Sequence, residues 1–311
     1  MRVFVTGATG HNGSFIVSEL ITAGHEVTGL ARSEAGAAAL SALGAKVRQG
    51  ELADLDGLGQ AAAEADGVIH TAVDRSLLLS GRLAALVAAD LAAVRAFGVA
   101  LAGSGKPLVV AASIGAPGQL GRPVTEQDPA APVADEHQGT LRSRNDVEVA
   151  VLDLAQQAVR SSVVRLPPVS HSDRDRSGFL AQLIAVAKEK GIVGYPGDGA
   201  NRWSAVAALD VAALFRLALE AGTAGKRWHA IGDEGLPFRE IAESVGERLG
   251  LPVESIPADR LREHFGFLGG PVALDAPASS LVTQRDLGWR PVRPGLIVDL
   301  DNGRYFSSGA R

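Results

Sequence analysis

TGATGHNG, residues 6–13, follows a short apolar run, Val3-Phe4-Val5, and precedes a segment with apolar residues at Phe15, Ile16, Leu20 and Ile21. The run has the length of a buried β-strand, and the later residues share one helix face. Between them lies a glycine-rich turn from strand to helix. Such a turn gathers backbone N–H groups and the positive end of a helix at one point, where a pyrophosphate is held. Gly7 suits the tight turn, Gly10 the close approach of phosphates, and Gly13 the packing of helix on strand. The spacing is G-x-x-G-x-x-G instead of the general G-x-G-x-x-G, with the required strand and helix on either side. Thr9, His11 and Asn12, with the three glycines, are the candidate phosphate contacts.

Outward from this turn, apolar strands at 2–6, 26–31, 45–49, 67–72, 107–113 and 162–166 alternate with helical patterns near 13–24, 34–43, 55–64, 82–103 and 143–159. Alternation of this kind builds an α/β fold, a doubly wound parallel sheet with its ligand crevice at the carboxyl ends of the strands. The pattern changes after Leu166-Pro167-Pro168. Residues 1–166 are expected to form the nucleotide-binding domain. Residues 167–311 are expected to form mainly a smaller C-terminal substrate lobe, with segments returning to the core. Helices near 177–190, 206–221 and 237–249 and a strand over Arg227–Ile231 belong to this half. The stretch Ala116–Gln138 has no periodicity and is long for a connection, as functional or mobile loops are.

The 311 residues carry 46% apolar and 21% charged residues and a net charge of −5, values of a globular protein with no basic block to hold nucleic acid. No apolar run is expected to span a membrane, and the first strand leaves no room for a leader, so the expected location is the cytoplasm. With no cysteine there are no disulfides, thiolate metal sites or redox thiols. The seven histidines, at 11, 25, 70, 137, 171, 229 and 264, never fall four residues apart on a helix, so no metal site is expected.

Six segments together resemble the short-chain dehydrogenase/reductase superfamily, in its extended or atypical branch beside the NAD(P)-dependent epimerase/dehydratase proteins. They are TGATGHNG at 6–13, GELADLDGL at 50–58, GVIHTAV at 67–73, VVAAS at 109–113, RLPPVSH at 165–171 and AALDVAALFRLALE at 207–220. The resemblance implies a nicotinamide cofactor. At the end of the second strand an acidic residue would bind the NAD ribose, whereas an arginine accommodates the 2′-phosphate of NADP. The chain has Arg32-Ser33 there, so NADP(H) is expected. Glu51-Leu52 stands where the family has Asp-Leu beside the adenine. Thr71, Ala72 and Val73 match the strand end under the ribose and nicotinamide, and Leu166, Pro167 and Val169 the segment flanking the nicotinamide amide.

The catalytic pattern departs from the family. Its reductases use a Ser or Thr with a Tyr four residues before a Lys. Ser113 fits the hydroxyl role. The chain's two tyrosines, Tyr195 and Tyr305, are followed four residues on by glycine. The family's Y-x-x-S-K-x-x-x-E pattern falls on Thr140, Ser143, Arg144 and Glu148. Arg144 can hold ribose or phosphate but cannot relay a proton at neutral pH. His171 and His137 are the candidate acids, titrating in the right range. Asn201 and Trp203 are placed either at the substrate mouth or, for the Trp, as a buried anchor of the second lobe.

Three functions fit. The first is an NADPH-dependent reductase of a small C=N or C=O substrate, with Ser113 polarising it. The second is an NADP-binding sensor without catalysis, and the third a nucleotide-sugar epimerase or dehydratase, which leans hardest on the absent Tyr–Lys pair. Helices 82–103 and 143–159 are apolar over more than one face, from which a homodimer is expected.

Overall fold

The computed structural model of the protein describes residues 1–115, 120–131, 144–176, 178–303 and 305–306. Strands β1 (Arg2–Thr6), β2 (Glu26–Ala31), β3 (Lys46–Gln49), β4 (Gly67–His70), β5 (Pro107–Ser113) and β6 (Arg160–Leu166) alternate with α1 (His11–Thr22), α2 (Glu34–Ala42), α3 (Leu55–Glu64), α4 (Arg75–Leu79), α5 (Leu83–Leu101) and α6 (Asn145–Asp153). The second half holds β7 (Val169–His171), α7 (Phe179–Lys190), β8 (Val193–Pro196), β9 (Arg202–Ala207), α8 (Ala208–Ala221), β10 (Lys226–His229), β11 (Asp233–Pro237), α9 (Phe238–Leu249) and β12 (Val253–Ile256). It ends on the short helices α10 (Leu261–Phe265), α11 (Gly269–Val272), α12 (Leu281–Leu287) and α13 (Leu296–Asp301).

Seven strands form a parallel sheet in the order β10-β6-β5-β4-β1-β2-β3. Its central strands are continuously apolar because helices cover both faces. Alternate residues of β1 feed separate cores. Val3 and Val5 join the layer of α1, α2 and α8, whereas Phe4 joins the layer of α3, α5 and α6. Order reverses between β1 and β4, so the crevice at their carboxyl ends is the switch point of the sheet.

The expected α/β doubly wound fold is the one observed. The half after Leu166 contributes both to the large sheet and to a second core. Helix α8 packs on α1, and β10 extends the large sheet beside β6, so 208–229 belongs largely to the first domain. The remainder builds a second core around Trp203 and Phe238, framed by a β11-β9-β7 sheet and a β12-β8 pair. The 19-residue α5, with a mean hydropathy of 1.8, is by length and composition apolar enough to cross a membrane, contrary to the expectation that no run is. It is a layer of the fold. Leu86, Val87, Ala93, Val94, Phe97 and Leu101 are buried against the sheet and its neighbouring helices.

Candidate functional site

Five loops carrying predicted residues leave the sheet at one edge, where β5 also ends, because each follows the carboxyl end of a parallel strand. Gly7 follows β1, Arg32 β2, Gly50–Leu52 β3, Thr71–Asp74 β4, and Pro167 β6, while Ser113 closes β5.

The turn between β1 and α1 is shaped by its glycines. Gly7 has φ +70°, and a Cβ on it would stand 2.6 Å from the Ala72 nitrogen and 2.7 Å from the Thr71 hydroxyl, so β1 and β4 meet here without a side chain between them. A Cβ on Gly13 would lie 2.0 Å from the Gly7 carbonyl oxygen. Gly10 caps α1 without any side-chain hydrogen bond to the first turn. Its N–H groups are thus left to a ligand or water. This uncapped 12-residue helix, over a turn that admits no Cβ, fits a dinucleotide pyrophosphate.

Neighbouring residues brace the loop. Thr71 donates its hydroxyl to the Thr6 carbonyl at 2.9 Å. Burial holds the His11 imidazole below its usual range, and its Nε2–H donates to the Ser170 carbonyl at 3.0 Å. The Ser170 hydroxyl donates to Asn12 Oδ1 at 2.6 Å. His11 and Asn12 thereby tie the start of α1 to β7 of the second lobe, and Thr9 lies against the start of α2, its methyl 3.2 Å from where a Gly36 Cβ would stand.

At the end of β2, Arg32 is exposed and takes no hydrogen bond or ion pair among the described residues. Ser33 caps α2 by accepting from the Gly36 N–H at 3.2 Å. Asp74 lies close enough to feel Arg32. Hydrogen bonds from Ser76 and Leu77 chiefly hold its carboxyl below the usual range, and Arg32 adds to them. Glu51 is exposed and Leu52 packs its side chain into the α3 and α5 layer. Ala72 and Val73 are half-buried at the end of β4. Leu166 is half-buried and Pro167 buried, but Val169 turns its side chain into the second core and so presents only backbone to the crevice.

Ser113 is exposed at the last position of β5, where its Oγ accepts from the Gly115 N–H at 3.2 Å. Its own O–H remains to be donated. Arg144 precedes α6, and its guanidinium reaches Asp90 of α5 at 3.1 Å. Asp90 is buried, and neither of its oxygens accepts a hydrogen bond. Burial pushes its carboxyl up to about 6 against the pull of Arg144. Beneath the pair, His70 is buried at the end of β4, within hydrogen-bond distance of the Thr6 hydroxyl and edge-on to Phe97. Burial first, and Arg144 second, push its imidazole down to about 4.

Glu148 sets the phase of α6. Its buried carboxylate takes a two-pronged contact from Arg165 of β6, at 2.6 and 2.8 Å, and a third from Arg227 at 2.7 Å. With Glu148 turned to the sheet, Arg144 is left one turn earlier, at the crevice end.

His171 is not brought to this edge. It is buried, its Nδ1 lies 2.7 Å from Asp299, and its ring lines a cavity of about 90 Å³ walled by Ala207, Asp210, Asp233 and Arg293, none of them a cofactor candidate. The alternation of β7 explains it, since Ser170 faces Asn12 and the residues on either side face the second lobe. His137 and Thr140 lie outside the described residues. Trp203 is a buried anchor, edge-on to Phe238 at 4.9 Å, and Asn201 binds the Val272 and Leu274 carbonyls, so neither lines a mouth. The buried Tyr305 donates its hydroxyl to Asp175, and Tyr195 lies in β8 under Arg239. Sequence reading missed Asp90, His70 and Asp74; a lone acid among the alanines and leucines of 83–101 was the signal for the first.

A family model described as the NAD dependent epimerase/dehydratase family matches residues 3–231. An uncharacterized protein of Schizosaccharomyces pombe is 43% identical over 309 residues, spanning 98% of this chain and 100% of its own length. A Streptomyces kanamyceticus protein named 2′-dehydrokanamycin reductase is 30% identical over 277 residues, 85% of this chain and 72% of its own. Among solved structures, a dTDP-glucose 4,6-dehydratase of Streptomyces venezuelae with NAD bound superposes with a TM-score of 0.79 over 99% of this chain and 98% of its own, at 19% identity, a likeness of fold. Sheet order, phosphate loop and matched residues agree, and the chain belongs to the NAD dependent epimerase/dehydratase family, within the extended short-chain dehydrogenase/reductase superfamily.

Proposed function

We propose that the protein is an NADPH-dependent oxidoreductase that reduces a small C=N or C=O substrate. The observation that carries the cofactor choice is Arg32, an exposed guanidinium with no hydrogen bond or ion pair among the described residues, at the end of β2 beside the glycine-rich turn. A permanently charged planar fork suits a ribose 2′-phosphate, and no carboxylate occupies the position to repel it. The N–H groups at the start of α1 hold the pyrophosphate, and Arg144 holds the nicotinamide ribose. The relative named as a reductase supports the direction of the reaction.

When bound, NADPH supplies a hydride. Ser113 stands at the crevice edge, its oxygen fixed by the Gly115 N–H; its O–H donates to a carbonyl oxygen or a neutral imine nitrogen, whereas its oxygen accepts from the N–H of an iminium. A carbonyl also needs a proton as its oxygen gains charge. An iminium arrives carrying that proton, so orientation and hydride transfer complete its reduction. With no tyrosine four residues before a lysine in the chain, the site suits imines better than matching ketones.

An epimerase or dehydratase is the second reading, favoured by the family match. A panel of imines, ketones and nucleotide sugars, followed by NADPH absorbance and product analysis, separates the two. The reductase reading expects NADPH consumption with imines and loss of turnover, not of cofactor binding, in Ser113→Ala. Conversion of a nucleotide sugar with no net cofactor change would overturn it.

A further inference from the structure

Helix α5 carries one acid on its inward face, Asp90, set in the apolar sequence LAALVAADLAAV. The helix runs antiparallel to β4, and Phe97 packs on His70 at the strand end. Asp90 lies two turns nearer the helix start, about 10 Å towards the crevice. Its side chain is 1% exposed, and its one close polar contact among the described residues is Arg144 at 3.1 Å, a contact of charge without a directed hydrogen bond. A carboxylate sealed in this way costs stability, and a single undirected ion pair offsets little of it. Packing alone would have favoured an apolar residue at position 90.

The guanidinium makes sense of the cost. Its side chain is 28% exposed, with one nitrogen against Asp90 and its other donors unclaimed among the described residues. Arginine presents five N–H donors in a rigid fork, so anchoring one side aims the other. We propose that Asp90 is the positioning residue for Arg144, holding the guanidinium from beneath so that its free donors face the ribose oxygens at the nicotinamide end of the crevice. This rests on the reading of the crevice as an NADPH site. The charged groups acting on Asp90 are Arg144, from the start of α6, and Asp74, from the turn before α4; Arg144 in turn acts on His70 of β4.

The test is a fluorescence titration with NADP⁺, stable in acid, of the wild type, Asp90→Asn, Arg144→Ala and the double variant from pH 5 to 8, with thermal unfolding of the cofactor-free proteins alongside. Asp90→Asn should weaken binding about tenfold at pH 8, and its ratio to wild type should fall towards one at pH 5, where the wild-type carboxyl is itself protonated. The double variant should bind no worse than Arg144→Ala, because Asp90 acts only through the guanidinium. Cofactor-free Asp90→Asn should unfold at a higher temperature than wild type at pH 8. Binding by Asp90→Asn equal to wild type at pH 8, or losses that simply add in the double variant, would overturn the inference while leaving the cofactor reading intact. Failure of the wild type to bind NADP⁺ would overturn that reading and this one with it.

Discussion

A methyl group on Gly13 would lie 2.0 Å from the carbonyl oxygen of Gly7, so the first turn of α1 rests directly on the turn after β1. Gly13→Ala must therefore push the helix off the loop. The expected cost is about 1–3 kcal/mol of stability, the range for overpacking, with loss of dinucleotide binding as the N–H groups move. Urea unfolding and a binding titration on one sample check both. Wild-type binding in Gly13→Ala would show that the loop does not hold the phosphates.

Glu148 is expected to be the most sensitive charge in the sheet. It neutralises Arg165, whose side chain is fully buried, and also meets Arg227. Glu148→Ala leaves Arg165 buried beside Arg227 with no counter-ion, a loss of about 3–5 kcal/mol. Denaturation of this variant should show a lower midpoint at unchanged slope. Replacing the exposed Glu263, paired with the equally exposed Arg260, should cost almost nothing by comparison.

Acid should destabilise the protein in a defined window. Burial pushes His70 down to about 4 and His229 down to about 3, the latter beside Arg165. Both stay neutral in the folded protein, while the unfolded chain takes up their protons below about pH 6.5. Their contribution is full above pH 6.5 and is lost as pH falls towards 4. Asp90, pushed up to about 6, acts in the opposite sense, binding its proton in the folded protein first and offsetting part of the loss. Unfolding midpoints from pH 8 to 4.5 should fall with acid, more steeply in Asp90→Asn and less steeply in His70→Asn. A flat profile would contradict this assignment.

Assembly is expected through α5 and α6. These helices pack on one another yet leave Val99 82% and Val149 46% exposed. A homodimer would cover such residues. Light scattering at micromolar concentration should give twice the chain mass, shifting towards monomer in Val99→Asp. A monomeric wild type would remove the case for this interface.

The parallel sheet was legible because its strands are buried on both faces and read as plain apolar runs, such as Val3–Val5 and Leu108–Val110. The glycine-rich turn after β1 was legible because local geometry fixes it, and Gly7 and Gly13 admit no side chain there. What could not be read were partners brought from far along the chain. His171 looks like an available acid until Asp299, 128 residues away, is found beside it. Asp90 stands alone among apolar residues in the sequence, but its partner Arg144 comes from 54 residues further on. The small strands β7, β8 and β11 have three to five residues each, too few for a periodic pattern to emerge.

A crevice tuned for NADPH by Arg32 can be probed by equilibrium titration of NADPH and NADH into the wild type and Arg32→Ala. The wild type should bind NADPH more tightly than NADH, and the gap should narrow by about 1–3 kcal/mol in Arg32→Ala, the worth of a charge-assisted contact. Equal affinity of the wild type for the two cofactors, or a gap unchanged in Arg32→Ala, would contradict it.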